Sequence, residues 1–241
     1  MVLLSKLQNA EEYTMIIGML NQKGGVGKTT LSISIAHELA RRGGQEDVLL
    51  VDADPQQSAL SWSEVRESKL PFAVIGMAKK SLHRDLPAIG KNYKHIIIDG
   101  PPRVTELARS CIMAADMVVI PCTPSPYDIW ASEETVQLVK EASVYKENLK
   151  YCFVINRKIA NTAIGRDVVD VLNNMDMKVL DSHICQRVIF AEAAASGNTV
   201  FDLEPESKAS EEIEKLVNEL LEFGSLKNGQ KNCHQKSEVE A

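Results

Sequence analysis

No apolar run in this 241-residue chain approaches the ~20 residues that span a bilayer. Residues 1–14 lack the continuous apolar region of a secretory signal. Cysteine is sparse: Cys111, Cys122, Cys152, Cys185 and Cys233 are scattered, odd in number and without C-x-x-C spacing. That argues against a disulfide framework or a zinc site and for reduced thiols in a cytosol. No internal repeat occurs. A basic excess is also missing, since the net charge is −6. The acidity is local, however. Residues 202–241 hold ten acids against five lysines, whereas Leu138 to Phe190 carry eight Lys/Arg against six Asp/Glu. An anion-binding face in that middle region therefore stays open.

What is present is a regular alternation of apolar runs and helical periodicity. It predicts one α/β domain, doubly wound, with a mainly parallel sheet covered by helices on both faces. Strands are expected near Ile16–Leu20, Val48–Val51, Phe72–Ile75, His95–Ile98, Met117–Ile120 and Tyr151–Ile155, with a weaker one at Lys178–Ser182. Helices are expected near Lys28–Arg42, Gln57–Glu67, Ser81–Ile89, Val104–Met113, Ile129–Tyr145, Ala163–Asn174, Ile189–Ala195 and Ser210–Phe223. The domain is expected to span residues 15–223, after a flexible extension over 1–14. From Gly224 the composition turns polar, which predicts a disordered tail over 224–241.

The segment Lys23-Gly24-Gly25-Val26-Gly27-Lys28-Thr29-Thr30 joins the first strand to the first helix. Such a glycine-rich turn presents bare backbone N–H groups, and the helix N-terminus adds positive charge, so it cradles phosphate. Lys28 would reach the β- and γ-phosphates and the Thr29 hydroxyl would ligate Mg²⁺. Two other strands end in acids. Val48–Val51 runs into Asp52-Ala53-Asp54-Pro55-Gln56-Gln57, and His95–Ile98 runs into Asp99-Gly100-Pro101-Pro102. Alternation along a strand allows Asp52 and Asp54 to lean toward one side at the edge where open α/β sheets bind ligands.

The phosphate loop departs from the common pattern, with Gln22 where a glycine is usual and an additional Lys23 after it. In this it resembles the deviant Walker A loop of the ParA/MinD family of P-loop ATPases. The resemblance covers roughly Met15 to Phe223 and implies ATP and Mg²⁺ as cofactors and an ATP-sandwich homodimer. Lys23 would then reach the phosphates held by the partner subunit, much as an arginine finger stabilises charge in phosphoryl transfer. It also implies that Asp54 orients the attacking water, that Asp52 supports the Mg²⁺ shell, that Asp99 holds Mg²⁺ through water, and that Asn156 reads adenine. The proline-rich Ile120–Pro126 segment resembles one that lies by the dimer interface of partition ATPases, or is a stiff connection into the next helix.

Within the family the short plasmid partition ATPases look most similar. They imply nonspecific DNA binding when ATP is bound, with Arg187 a DNA contact and Lys140, Lys146, Lys150, Lys158 and Arg166 possible companions. They also imply a ParB-like centromere-binding partner that triggers hydrolysis, and a cytoplasmic, nucleoid-associated protein. Positioning of another cargo through an adaptor, such as a microcompartment, is the alternative. A MinD-type membrane regulator fits less well. Its membrane helix needs basic residues, whereas Ser210–Phe223 is strongly acidic. An iron–sulfur reductase sharing the loop would need cluster cysteines, for which Cys111 and Cys122 sit in unsuitable local sequence.

Overall fold

The computed structural model describes residues 14–159, 171–172, 175 and 177–226. The extension before Thr14, most of the helix expected over Ala163–Asn174, Arg166, Cys233 and the tail beyond Leu226 lie outside the described residues.

Seven parallel strands form one sheet among the described residues: β1 (Met15–Met19), β2 (Val48–Asp52), β3 (Ala73–Gly76), β4 (His95–Asp99), β5 (Met117–Cys122), β6 (Lys150–Lys158) and β7 (Lys178–Cys185). Their order is β3-β2-β4-β1-β5-β6-β7. Among the described residues the helices with bounds at both ends are α1 (Lys28–Gly43), α2 (Ser58–Glu64), α3 (Leu82–Gly90), α4 (Glu106–Ala114), α5 (Pro126–Tyr145), α6 (Ile189–Ala195), α7 (Val200–Leu203) and α8 (Lys208–Ser225). The doubly wound α/β expectation holds.

Unbroken apolar strands require cover on both faces, and the structure supplies it. Leu49 and Val51 of β2 and Ile96 and Ile98 of β4 enter one core with side chains of α3, α4 and α5. The intervening Val48, Leu50 and Ile97 enter the other, against Leu31 and Ile35 of α1 and Ile213, Leu216 and Leu220 of α8. The apolar stripe of α8 is thus spent on the sheet, leaving its acids outside.

Several boundaries differ from expectation for local reasons. Helix α5 starts at Pro126, three residues before Ile129, because proline at the first helical position sacrifices no helical hydrogen bond. The four-residue α7 was not foreseen. A reciprocal capping box between Thr199 and Asp202 makes it. Helix α8 continues through Gly224 to Ser225, where the Lys150 amine gathers the carbonyls of Phe223, Gly224 and Leu226. The described cysteines form no disulfide, and burial pushes the Cys111 thiol up to about 12 and that of Cys122 to about 11.

Strand register positions the acids. Met19 of β1 and Asp52 of β2 both stand opposite Asp99 of β4. The loop after β1 therefore springs from the centre of the sheet with two buried carboxylates on its flank, at the carboxyl ends of the strands.

Candidate active site

The loop between β1 and α1 turns through left-handed backbone at Gly25 (φ 79) and Gly27 (φ 95). At Gly27 a Cβ would come within 2.1 Å of the Asn156 amide nitrogen, so glycine is demanded there twice over. Asn156 is buried and donates to the Val26 carbonyl at 2.7 Å. Its amide thus braces the phosphate loop, a task not foreseen beside the expected reading of adenine. It also lines a cavity of about 800 Å³ with Gly27, Thr30, Arg157, Arg187 and Phe190.

Lys28 opens α1 and is buried, its amine 3.2 Å from the Lys23 carbonyl. Burial lowers its pKa, opposed by the negative charges of Asp99 and Asp54. The Thr29 hydroxyl donates to Asp99 Oδ2 at 2.7 Å and the Ser32 hydroxyl to Oδ1 at 3.2 Å. Asp99 has no solvent exposure, and burial drives its pKa up to about 7, with the Thr29 bond pulling the other way. A dehydrated carboxyl beside a threonine hydroxyl is a donor set that suits a hard divalent cation. Among the described residues no cluster of three or more His, Cys, Asp or Glu side chains could hold a metal by itself. A cation here would therefore complete its shell with water and phosphate, as Mg²⁺ does.

Asp52 has a structural task not expected from the sequence. It accepts the backbone N–H of Asp54 at 3.1 Å on Oδ1, and those of Ala59 and Leu60 at 2.9 and 3.0 Å on Oδ2. Oδ2 thus caps the start of α2, and Oδ1 holds the turn that carries Asp54. Asp54 is half-buried and accepts the Gln56 N–H at 2.9 Å. The turn closes through Gln57, a non-glycine residue at φ 54, so the Asp54 loop is held in a conformation that costs energy.

Lys23 pairs with Asp128 of its own chain. Asp128 is buried, and its second oxygen accepts the Thr123 hydroxyl. Neither Asp128 nor Thr123 nor Ser32 was singled out from the sequence. An acid in the first turn of a proline-started helix was the available signal.

The described basic side chains expected to face DNA have partners within the chain. Arg187 forms an ion pair with Glu212 at 2.6 Å. Lys140 donates to the Met175 carbonyl at 2.9 Å, Lys146 to those of Met113 and Ala115, and Lys150 to the end of α8. Lys158 lies 3.4 Å from His183. Lys146 and Lys150 thereby bond carbonyls at the ends of α4 and α8, which have no partner within the helix. Among the described residues no helix is long and apolar enough to cross a membrane.

The model of the CobQ/CobB/MinD/ParA nucleotide binding domain matches residues 17–200. The maintenance of carboxysome distribution protein A of Halothiobacillus neapolitanus is 29% identical over 217 residues, covering 88% of this chain and 99% of that protein. The sporulation initiation inhibitor protein Soj of Bacillus subtilis is also 29% identical, over 255 residues, covering 87% and 99%. Among solved structures, the septum site-determining protein MinD of Pyrococcus horikoshii, complexed with Mg-ADP, superposes with a TM-score of 0.71 at 20% identity. It covers 88% of this chain and 98% of the other.

Proposed function

Because the chain belongs to the CobQ/CobB/MinD/ParA nucleotide-binding family, we propose that it is a ParA-type ATPase that uses Mg²⁺ and ATP to segregate or position a cargo over DNA. The observation that carries this reading is the convergence of Lys28, Thr29, Asp99 and Asp54 on one phosphate loop, with Lys23 beside them.

In this reading Lys28 and the loop N–H groups bind the triphosphate, and burial of the amine strengthens its pull on phosphate oxygens. Thr29 and Asp99 would hold Mg²⁺, which would supply charge neutralisation at the transferring phosphate. Asp54 orients the attacking water by accepting its hydrogen bond, while Asp52 keeps the Asp54 loop in place through the α2 cap. Asn156 braces the loop and faces the base. Lys23 lends its ammonium group to the triphosphate of a second copy, which makes the ATP-bound form a homodimer.

Nonspecific DNA binding then belongs to the dimer, with Arg187 as a contact that Glu212 orients. A ParB-like partner stimulates hydrolysis and release, and the protein is cytoplasmic and nucleoid-associated while ATP is bound. Plasmid or chromosomal DNA is the cargo, a reading that the likeness to the chromosome-partitioning ATPase Soj of Thermus thermophilus supports. The likeness to the carboxysome-distribution protein favours a second reading, a protein body held through an adaptor. A membrane role is disfavoured by α8, whose apolar stripe is buried.

The test measures phosphate release and DNA retention with purified protein. Mg-ATP should support slow hydrolysis and salt-sensitive binding to a random-sequence duplex, and Mg-ADP should not. Hydrolysis no greater than in Lys28→Ala, or DNA binding indifferent to nucleotide, overturns the reading.

A further inference from the structure

We propose that Asp128 is a positioning residue that keeps Lys23 with its own chain until a second copy docks and draws the amine onto its nucleotide. This rests on the reading that Lys23 acts on the neighbouring subunit.

The backbone around Lys23 is strapped to β5 and α5. The Asn21 amide donates to the Pro121 carbonyl at 2.8 Å and to Ser132 Oγ at 3.1 Å. The Gln22 N–H donates to Thr135 Oγ1 at 3.1 Å, and the Gln22 side chain donates to the Ala131 carbonyl. The Lys23 N–H donates back to Asn21 Oδ1 at 2.9 Å. With the main chain fixed this way, only the four-carbon stem of Lys23 is left to move. It runs to a carboxylate of very different exposure: the Lys23 side chain is 39% exposed and that of Asp128 only 8%.

That asymmetry makes the pair exchangeable. When the amine leaves, Asp128 keeps the Thr123 hydroxyl and its place in the first turn of α5, where the helix N-terminus favours negative charge. A buried acid without such support would hold its cation permanently. A fully exposed pair would scarcely restrain it. Asp128 lies between these limits. Tyr127 and Trp130, 73% and 59% exposed with rings 5.5 Å apart, stand on either side of Asp128 in the chain. Their exposed rings are available to a second copy. The chain alone thus holds its reaching lysine in reserve, and the phosphates of a docked copy compete with Asp128 for it.

The experiment follows dimerisation of the full chain by sedimentation velocity with Mg²⁺ and a nonhydrolysable ATP analogue. Affinity for a fluorescent ATP analogue is read separately at concentrations where the chain is monomeric. Asp128→Asn should dimerise at about tenfold lower protein concentration, as expected for removing a half-buried ion pair from one side of an equilibrium, with unchanged nucleotide affinity. Thr123→Val should shift dimerisation the opposite way, because Asp128 then depends more on Lys23. In a Lys23→Gln background the Asp128→Asn gain should vanish. Equal or weaker dimerisation of Asp128→Asn, or a gain that persists without Lys23, overturns the proposal while leaving the role of Lys23 between subunits intact. Wild-type dimerisation by Lys23→Gln alone overturns that role and this proposal with it. Should Asp128→Asn fail to fold, the opposite shift of Thr123→Val and its dependence on Lys23 decide the matter.

Discussion

Thr29 and Asp99 are joined by a 2.7 Å hydrogen bond between the hydroxyl and Oδ2, which ties the first turn of α1 to the end of β4. Seventy residues apart in sequence, they meet because β1 and β4 are neighbours in the sheet. Whatever enters the phosphate loop must act on that bond, since the same hydroxyl and carboxylate are the donors offered to a cation.

Lys28→Ala should lower ATP affinity at least ~100-fold, the loss expected when a charge-assisted contact disappears from a water-poor site. Isothermal titration with Mg-ATP checks it. The variant should melt at or above the wild-type temperature without nucleotide, because burial already disfavours the charged amine.

Asp54→Ala should bind ATP and dimerise but hydrolyse it at least ~100-fold more slowly, with KM little changed, the pattern for a group that works only as the reaction proceeds. A dimer that persists for hours and still retains DNA is the expected readout. A variant that stays monomeric with ATP contradicts the assignment.

Asp52→Ala should destabilise the chain by about 2–3 kcal/mol, since it orphans N–H groups at the buried start of α2. Urea unfolding measures this directly. Hydrolysis should fall too, through disorder of the Asp54 loop, whereas loss of a metal ligand would raise the Mg²⁺ requirement instead.

His37 lies against Phe72 and Phe201, with Nδ1 2.5 Å from Thr199 Oγ1 and 3.7 Å from Asp202. Burial lowers its pKa to about 4; Asp202 opposes the shift, and Arg66 and Arg41 assist it. The folded protein therefore binds fewer protons than the unfolded chain below the ordinary value of 6.5. Stability is fully present above that pH and is lost as pH falls through about 4, with a ceiling of about 3 kcal/mol. His37→Gln should flatten the dependence of the melting temperature on pH in that window.

Arg187→Ala should reduce the salt dependence of ATP-dependent DNA binding by about one unit of slope, while Glu212→Gln leaves it in place. An unchanged slope in Arg187→Ala restricts the guanidinium to its ion pair on α8.

Strands β2 and β4 and the phosphate loop were legible in the sequence because their signals are local. A run such as Ile96-Ile97-Ile98 buries both faces wherever it falls, and adjacent glycines mark a turn. Asp54 and Asp99 could be located as acids ending such strands. Partnerships across the fold could not. Asp128 meets Lys23 over 105 residues, and Lys150 meets the end of α8 over more than 70. Their chemistry depends on which strands are neighbours, and periodicity does not report that. Lysines that cap carbonyls and lysines that face solvent look alike in composition, so the bonds of Lys146 and Lys150 to helix ends cannot be told from the sequence. Asp52 illustrates the same limit at short range: its cap depends on the turn through Gln57, whose left-handed backbone has no glycine to announce it.

Gly27 carries a consequence for genetics. Any side chain there offends both the local backbone and the Asn156 amide, so two unrelated lesions arise from one codon. Trimming position 156 would relieve the collision but not the backbone, and would remove the brace on Val26. A selection for revertants of a Gly27 mutant should accordingly return true reversion to glycine and no compensating change at a second locus.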